Sequence, residues 1–392
     1  MGWKDYDVVD QRHQFVLRAL APGANMSKLC EEFGISRRTG YKWRDRFCDP
    51  ASGGPEALKD RSRKPRTSPR EISTDLALEI VRLRQCYGWG GRKLRTLMKR
   101  ANFERVPCER TIDRVLKKAG LLKETRRRVK GATPAPEPAP SPEKPNDLWT
   151  VDFKGWWKTG DSTRCEPLTI RDAWSRYILE IHVSESCDLK TTQKVFEEAF
   201  QRYGLPKGIL SDNGSPFACT RALGGLSKLS AYWLALGITP FRIRPGKPQE
   251  NGAHERMHRD MKAELQLSPA ADRKTQQVAV DDWRLEFNNV RPHEALDLRT
   301  PSELYMRSSR IFDGQKPVLV YPAHYEVRRV RSNGSIKYKQ RHCFVSEALS
   351  GWDIALEVVG DRLQVRFAER VLGTTDLGFV EPIEPLPEEK AE

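Results

Sequence analysis

Three acidic residues occupy positions where a carboxylate could bind a metal or take part in catalysis. Asp152 stands inside the β-rich run 148–153, where burying an ionised group is costly unless the group is paired or binds a metal. Asp212 ends the short apolar strand predicted at 208–211 and opens an Asp-Asn-Gly turn. Glu250 follows a Pro- and Gly-rich basic loop, at the predicted start of a helix.

Each acid has an ordinary explanation by itself. Asp-Asn-Gly is a turn signal, and a Glu at a helix start is favoured by the positive end of the helix dipole. Three carboxylates without His or Cys, however, suit hard cations such as Mg²⁺ or Mn²⁺. Two such ions roughly 4 Å apart can clamp the attacking and leaving oxygens of a phosphoryl transfer. Asp172, after another apolar strand, and Asp161 are competing candidates.

The segments around these acids resemble DDE transposases of the retroviral-integrase superfamily, most of all the insertion-sequence types IS481 and IS3. The matching segments are Trp-Thr-Val-Asp-Phe (149–153), Ser-Asp-Asn-Gly-Ser-Pro-Phe (211–217), Arg-Pro-Gly-Lys-Pro-Gln-Glu-Asn-Gly (244–252), Asn-Asn-Val-Arg-Pro-His-Glu-Ala-Leu (288–296) and Thr-Pro-Ser-Glu-Leu-Tyr (300–305). In the family, a spacing in the mid-thirties separates the second acid from the Glu. Here 37 residues separate Asp212 from Glu250, which fits a small insertion around 222–227.

The resemblance implies a catalytic, metal-binding triad of Asp152, Asp212 and Glu250 that holds two Mg²⁺ or Mn²⁺ ions per active site. Water would attack the phosphodiester at an element end and free a 3′-OH, which would then attack target DNA. The implied partners are double-stranded DNA, as terminal repeats and target, and further copies of the chain, at least a dimer on DNA. The implied location is the bacterial cytoplasm, in association with the nucleoid.

The charge distribution agrees with a polyanionic partner. The net charge is +15, and residues 1–130 hold 32 Lys and Arg against 16 Asp and Glu. The basic excess is therefore N-terminal, where it indicates either DNA binding or a solvated basic surface. No apolar run is long enough to span a membrane, so we expect a soluble intracellular protein. The eight Cys lack a Cys-x-x-Cys pair, and His254 and His258 lack further partners, which argues against disulfides and zinc.

The chain is expected to be multidomain. The pattern predicts an N-terminal all-α tandem helix-turn-helix, a central α/β RNase H-like core and a C-terminal small β-barrel. The predicted segments are a helix-turn-helix domain (1–50), a basic linker (51–70), a second helix-turn-helix domain (71–125), a Pro-rich linker (126–146), an integrase catalytic core with trailing helices (147–310), the barrel (311–381) and a disordered tail (382–392).

Basic and polar residues of the helix-turn-helix patterns and of the linker between them are candidates for DNA contact. They are Arg37, Arg38, Thr39, Lys42 and Arg46 on the third helix, Arg61, Arg63, Lys64 and Arg66 in the basic linker, and Arg110, Thr111, Arg114 and Lys117 on the last helix of the second module. An αα-hairpin in a protein–protein module is the alternative for the first set.

Residues flanking the acids are further candidates. Arg244 and Lys247 are placed to meet phosphate oxygens. The other candidates are Asn213, Gln249 and Asn251, which either orient water or DNA or serve in turns and caps, and Arg256 and Arg259, which either line target DNA or form a solvated face.

Two other functions remain open. One is a non-catalytic DNA-binding regulator descended from a mobile element, against which the presence of all three acids argues. The other is an RNase H-type nuclease without strand transfer, against which the tandem end-binding modules argue. A strand-transfer assay on labelled element ends separates the three functions.

Overall fold

The computed structural model describes residues 7–61, 72–122, 141–186, 188–219, 222–244, 251–379 and 381–385. The chain separates into two compact units, 1–73 and 74–392. Within the described ranges, no helix combines the length and the apolar character needed to cross a membrane.

In residues 7–61, the first unit contains the α-helices α1 (Val8–Ala19), α2 (Met26–Glu32) and α3 (Arg37–Phe47) and a short 3-10 helix (Pro55–Leu58). Ser36 caps α3, as predicted, by accepting a hydrogen bond from the Thr39 amide. The cap of α2 is Asn25 and not the predicted Ser27. The apolar side chains that hold the three helices together include Phe15, Val16, Leu29, Trp43 and Leu58.

The second unit opens with another three-helix module, α4 (Thr74–Tyr87), α5 (Gly91–Arg100) and α6 (Glu109–Lys118). Its buried side chains include Ile80, Leu83, Leu94, Met98, Ile112 and Leu116.

This second module contacts the rest of its unit through two arginines. The Arg291 guanidinium carbon lies 5.8 Å from the centroid of the buried Trp89 ring, a cation–π distance. Arg100 forms a 2.9 Å ion pair with Glu303. The predicted Pro-rich linker at 126–146 lies largely outside the described residues, but the module that precedes it is docked on the core.

A mixed sheet forms the centre of the second unit. Its strands are β1 (Leu148–Phe153), β2 (Trp157–Lys158), β3 (Arg164–Asp172), β4 (Ile178–Ser184), β5 (Gly208–Ser211) and β6 (Thr239–Arg242). The order is β2-β3-β1-β5-β6, with β4 also paired to β3. β1 is antiparallel to β3 and parallel to β5, and β5 is parallel to β6. The predicted strands are all present, and β2 is an addition.

Helices cover both faces of the sheet. On one face, Trp149 and Val151 of β1 share a core with α7 (Leu189–Tyr203) and α8 (Lys228–Ala235). On the other face, β4 packs against α9 (Gly252–Met261), a π-helical turn (Lys262–Gln266) and α10 (Arg273–Asn289), through a core that includes Trp157, Ile178, Ile181, Met257, Met261, Val280, Trp283 and Phe287. Because strand side chains alternate, Thr150 and Asp152 face α9.

Arg291 fastens α9 to α10. Its side chain is 2% exposed and contacts Glu264 at 2.5 Å, Glu286 at 3.2 Å and Asp260 at 3.6 Å. A buried guanidinium is tolerated because these carboxylates neutralise it. The Arg-Pro-His segment after α10 therefore holds this helix in place, as its sequence predicts.

The predicted C-terminal barrel is not confirmed. The strands are β7 (Glu326–Arg329), β8 (Ser335–Tyr338), β9 (Arg341–Phe344), β10 (Asp353–Val359), β11 (Arg362–Phe367), β12 (Arg370–Asp376) and β13 (Glu384–Pro385). They form an open five-stranded sheet, β13-β12-β11-β10-β7, and a separate β8-β9 hairpin. The strand predicted at 318–321 is absent, and Val318 and Val320 are exposed.

Candidate active site

Asp152 lies on β1, and Asp212 directly follows the neighbouring parallel strand β5. β1 pairs with β5 in the register Leu148 with Gly208 through Thr150 with Leu210. Continued by two residues, this register places Asp212 beside Asp152. The Asp212 carboxylate also accepts a 3.0 Å hydrogen bond from the Gly214 amide, which holds the Asp-Asn-Gly turn.

The environment of Asp152 opposes its ionisation. Its side chain is 26% exposed. Burial, followed by the negative charges of Asp212 and Glu255, raises the pKa of Asp152 to about 7, although Lys154 acts in the opposite direction. A carboxylate held among other carboxylates is a common feature of metal and catalytic sites.

The third carboxylate that acts on Asp152 in the described structure is Glu255. It lies in the first turn of α9, one helical turn before His258, whose Nδ1 is 3.7 Å from Oδ2 of Asp152. Residues three apart on a helix share a face, so Glu255 is on the side of α9 that meets Asp152. The predicted Glu250 lies outside the described residues. Glu255 was not among the predicted site residues, although its i, i+3 spacing to His258 could have indicated it.

A hydrogen-bonded cluster lies behind Asp152. The Thr169 hydroxyl on β3 is 2.9 Å from the Asp152 carbonyl oxygen, 2.6 Å from Nε2 of His254 and 2.8 Å from Nε2 of His258. The hydroxyl of Thr150 is 2.9 Å from Nδ1 of His254. Burial lowers the pKa of both imidazoles, that of His258 to about 3 with the help of Lys154 and Arg171. Both rings are therefore neutral at physiological pH.

The competing acids have structural roles. Asp172 is fully buried and accepts hydrogen bonds from the Asn146 amide and from the amide and hydroxyl of Ser175. Asp161 accepts hydrogen bonds from Thr159 and Thr163 within its own turn.

The residues predicted to contact DNA or water next to the acids differ in their exposure and in their hydrogen bonds. Asn213 donates a 2.7 Å hydrogen bond to the Ile243 carbonyl, which ties the turn after β5 to the end of β6. Asn251 is buried just before α9, while Arg256 and Arg259 are exposed along that helix. Arg244 is partly buried after β6. Lys247 and Gln249 lie outside the described residues.

The helical modules present most of their predicted basic residues to solvent. Arg37, Arg38 and Lys42 are exposed on α3, whereas Thr39 is held by the Ser36 hydroxyl and Arg46 lies over Trp43. The exposed candidates elsewhere are Arg61, Arg110, Arg114 and Lys117. Thr111 is half-buried beside Cys108. Arg63, Lys64 and Arg66 lie outside the described residues.

The donor set fits a divalent cation. Asp152, Asp212 and Glu255 supply oxygen ligands of like charge, whose mutual repulsion a cation would relieve. In the described parts of the chain, however, no group of three or more His, Cys, Asp or Glu is already gathered at metal-binding geometry. The side chains would have to draw closer when an ion binds.

Comparisons with known families agree with this architecture. Residues 142–248 and 236–301 match two families that are each described as an integrase core domain. Residues 11–66 match a helix-turn-helix domain, and residues 39–116 match a homeodomain-like domain.

Similar proteins come from bacterial insertion elements. An uncharacterized 31.7 kDa protein of insertion element IS407 from Burkholderia multivorans is 27% identical over 239 residues, covering 59% of this chain and 80% of the relative. An uncharacterized 39.2 kDa protein of IS476 from Xanthomonas euvesicatoria is 24% identical over 266 residues, covering 66% of this chain and 72% of the relative. Among solved structures, the HTLV-2 integrase catalytic core in complex with magnesium has a TM-score of 0.33 at 15% identity and covers 42% of this chain and 99% of its own.

The chain thus carries an integrase core domain together with helix-turn-helix domains. Its resemblance to DDE transposases of the retroviral-integrase superfamily, of the insertion-sequence type, is confirmed by these domains and by the insertion-element relatives.

Proposed function

We propose that this protein is a transposase that binds the ends of an insertion element, cleaves DNA there and joins the freed ends to target DNA. The observation that carries the proposal is the placement of Asp152 beside Asp212 within an integrase core domain, with the charge of Glu255 also acting on Asp152. The insertion-element relatives support the same function.

In this proposal, Asp152, Asp212 and a glutamate hold two Mg²⁺ or Mn²⁺ ions. The ions would supply charge stabilisation for both the attacking and leaving oxygens. The protein's own contribution is to hold the carboxylates on rigid elements. β1 and β5 fix the two aspartates, and α9, fastened through Arg291, fixes the glutamate.

The two steps use the same chemistry. Water first replaces the bridging oxygen at the element end and leaves a 3′-OH. That 3′-OH then replaces the corresponding bridging oxygen in target DNA, so one phosphodiester forms for each one broken. Exposed cations such as Arg256 and Arg259 along α9 are available to contact the DNA backbone.

The helical modules would bind the element ends. α3 and α6 each expose basic residues on a three-helix module, the arrangement by which helix-turn-helix domains enter a major groove. An element has two ends, so we further propose that at least two protomers assemble on DNA.

The glutamate is the part of the site that distinguishes two versions of this proposal. We favour Glu255 as the third ligand, because it acts on Asp152 from α9. Glu255→Gln should abolish cleavage and joining, as should Asp152→Asn and Asp212→Asn, while Glu250→Gln should retain measurable activity. The measurement is cleavage and strand transfer on labelled end fragments, with end binding as the folding control.

The reverse pattern, with loss of activity in Glu250→Gln alone, would restore Glu250 as the ligand. Cleavage without joining in the unaltered protein would favour the nuclease alternative. End binding without either reaction would favour a DNA-binding regulator.

A further inference from the structure

Thr169 occupies the centre of the cluster behind Asp152. Its hydroxyl oxygen is in hydrogen-bond range of three groups, namely the Asp152 carbonyl and Nε2 of both His254 and His258. Thr169 and His254 are 0% exposed and His258 is 8% exposed, so bulk water does not replace these partners. The hydrogen bonds of this cluster therefore have to be satisfied internally.

Counting hydrogens assigns the tautomer of both imidazoles. The Thr169 hydroxyl has one hydrogen, and the Asp152 carbonyl can only accept it. The Thr169 oxygen then accepts from both rings, so His254 and His258 each carry their hydrogen on Nε2. For His254, the unprotonated Nδ1 is satisfied by the Thr150 hydroxyl, 2.9 Å away.

The corresponding Nδ1 of His258 faces a different partner. It has no hydrogen to donate, and the group beside it is Oδ2 of Asp152, 3.7 Å away. Two ligands about 2.1 Å from one cation are about 3.0 Å apart when they subtend a right angle and about 4.2 Å apart when opposite. The observed separation lies between these limits.

We propose that Nδ1 of His258 is a nitrogen ligand of the cation that Asp152 holds, with Thr169 fixing the tautomer that makes this nitrogen available. The inference rests on the proposed metal-dependent transferase. Imidazole nitrogen binds first-row transition ions better than it binds Mg²⁺. The site is therefore expected to prefer Mn²⁺ over Mg²⁺ more strongly than a site made of carboxylates alone.

Pulsed electron paramagnetic resonance of the full-length protein loaded with Mn²⁺ tests this directly. The unaltered protein should show the ¹⁴N hyperfine coupling of a coordinated imidazole. His258→Gln should remove that coupling and weaken Mn²⁺ binding by about tenfold or more, while Mg²⁺ binding, measured by competition, changes less. His324→Gln, which alters an exposed imidazole outside the site, is the matched control and should retain the coupling.

Two substitutions of Thr169 provide a second test of the same proposal. Thr169→Val removes the oxygen that both Nε2 atoms donate to, so the ¹⁴N coupling should diminish. Thr169→Ser keeps that oxygen and should preserve the coupling, which a purely packing role of the threonine would not predict.

The outcomes separate this inference from the proposed function. Mn²⁺ binding that depends on Asp152 but shows no ¹⁴N coupling, or coupling that persists in His258→Gln, overturns the role of His258 and leaves the transferase standing. Binding of Mg²⁺ without binding of Mn²⁺ overturns the role of His258 alone, and failure of the unaltered protein to bind either ion overturns both.

Discussion

At the scale of single residues, the candidate site is defined by unfavourable charge. Asp152 is affected by Asp212 and Glu255, whose charges oppose its ionisation, and by Lys154, whose charge favours it. His258 is neutral and contributes no balancing positive charge. The repulsion among these carboxylates destabilises the metal-free protein, and a bound cation would relieve that repulsion.

A pH-dependent stability difference follows for the metal-free protein. The pKa of Asp152 is about 7 in the folded chain against an ordinary value of 3.8, so the folded state binds the extra proton more tightly. Stability is therefore lost as pH rises from about 4 to about 7. A shift of this size corresponds to on the order of 4 kcal/mol. Asp152→Asn, which cannot ionise, should melt at a higher temperature than the unaltered protein at pH 8 and at a similar temperature at pH 4.

The measurement is thermal unfolding in a chelating buffer across this pH range, with Glu104→Gln, which alters an exposed carboxylate outside the site, as the control. Addition of Mg²⁺ should stabilise the unaltered protein more than Asp152→Asn. A difference in melting temperature that does not change with pH would contradict the assigned environment.

At the scale of elements, the local sequence pattern predicted most helices and strands. It did not predict whether the C-terminal strands close into a barrel. The strands around Asp152 and Asp212 and the helices of both modules were recognisable from periodicity and turn residues. The C-terminal strands were also largely recognisable, yet they form an open sheet. Barrel closure depends on the tilt and register of strands distant in sequence, which local pattern does not encode.

The sequence alone does not decide between Glu250 and Glu255 as the third acid of the site, for a related reason. Glu250 and Glu255 are five residues apart, so on one helix they would be roughly 140° apart and could not both face the same site. Which of them faces the sheet depends on how α9 packs. The structure sets that packing through Met257 and Met261, which lie against the core of α10 and β4. His258 was likewise predictable as a helical residue but not as a neighbour of Asp152, because β1 and α9 are far apart in sequence.

α6 offers a test of DNA recognition by one element. Arg110 and Arg114 are exposed on a common face of this helix. Arg110→Ala should reduce affinity for the element end by about 1–3 kcal/mol and relax the preference at one base pair. Lys99 is exposed on α5 and not on α6, so Lys99→Ala should leave sequence preference unchanged.

Competition binding against end fragments substituted at each base pair measures both the affinity for the element end and the preference at each base pair. An equal loss of affinity for every sequence in Arg110→Ala would assign this residue to phosphate contact, and α6 would then not read bases through it.

At the scale of the whole molecule, the docked second module is the main departure from expectation. The predicted Pro-rich linker (126–146) implies that the second module and the core are separate domains. Instead, Trp89 and Arg100 of the second module contact Arg291 and Glu303 of the core. Because Arg100 and Glu303 are both partly exposed, the ion pair itself contributes at most about 1 kcal/mol. The buried Trp89 contact is expected to contribute more.

Charge exchange tests this docking. Arg100→Glu should broaden the distance distribution between spin labels on α6 and α7, because it places like charges together. Adding Glu303→Arg should restore the narrow distribution of the unaltered protein. The distances are measured by double electron–electron resonance in a background without exposed cysteines. A broad distribution in the unaltered protein would show that the module is not docked.

Docking also bears on where the DNA is cut. With α6 and the aspartates in one folded unit, the separation between the sequence that α6 contacts and the scissile phosphate is set by protein structure. If the protein has the proposed transposase function, this fixed separation would set the distance between the α6 site and the cut. Adding or removing base pairs in that interval would move the cut to a new nucleotide sequence while preserving its distance from the α6 site. An element whose end acquired such an insertion would be trimmed at the wrong boundary, so the length of this interval, and not only its sequence, would be under selection.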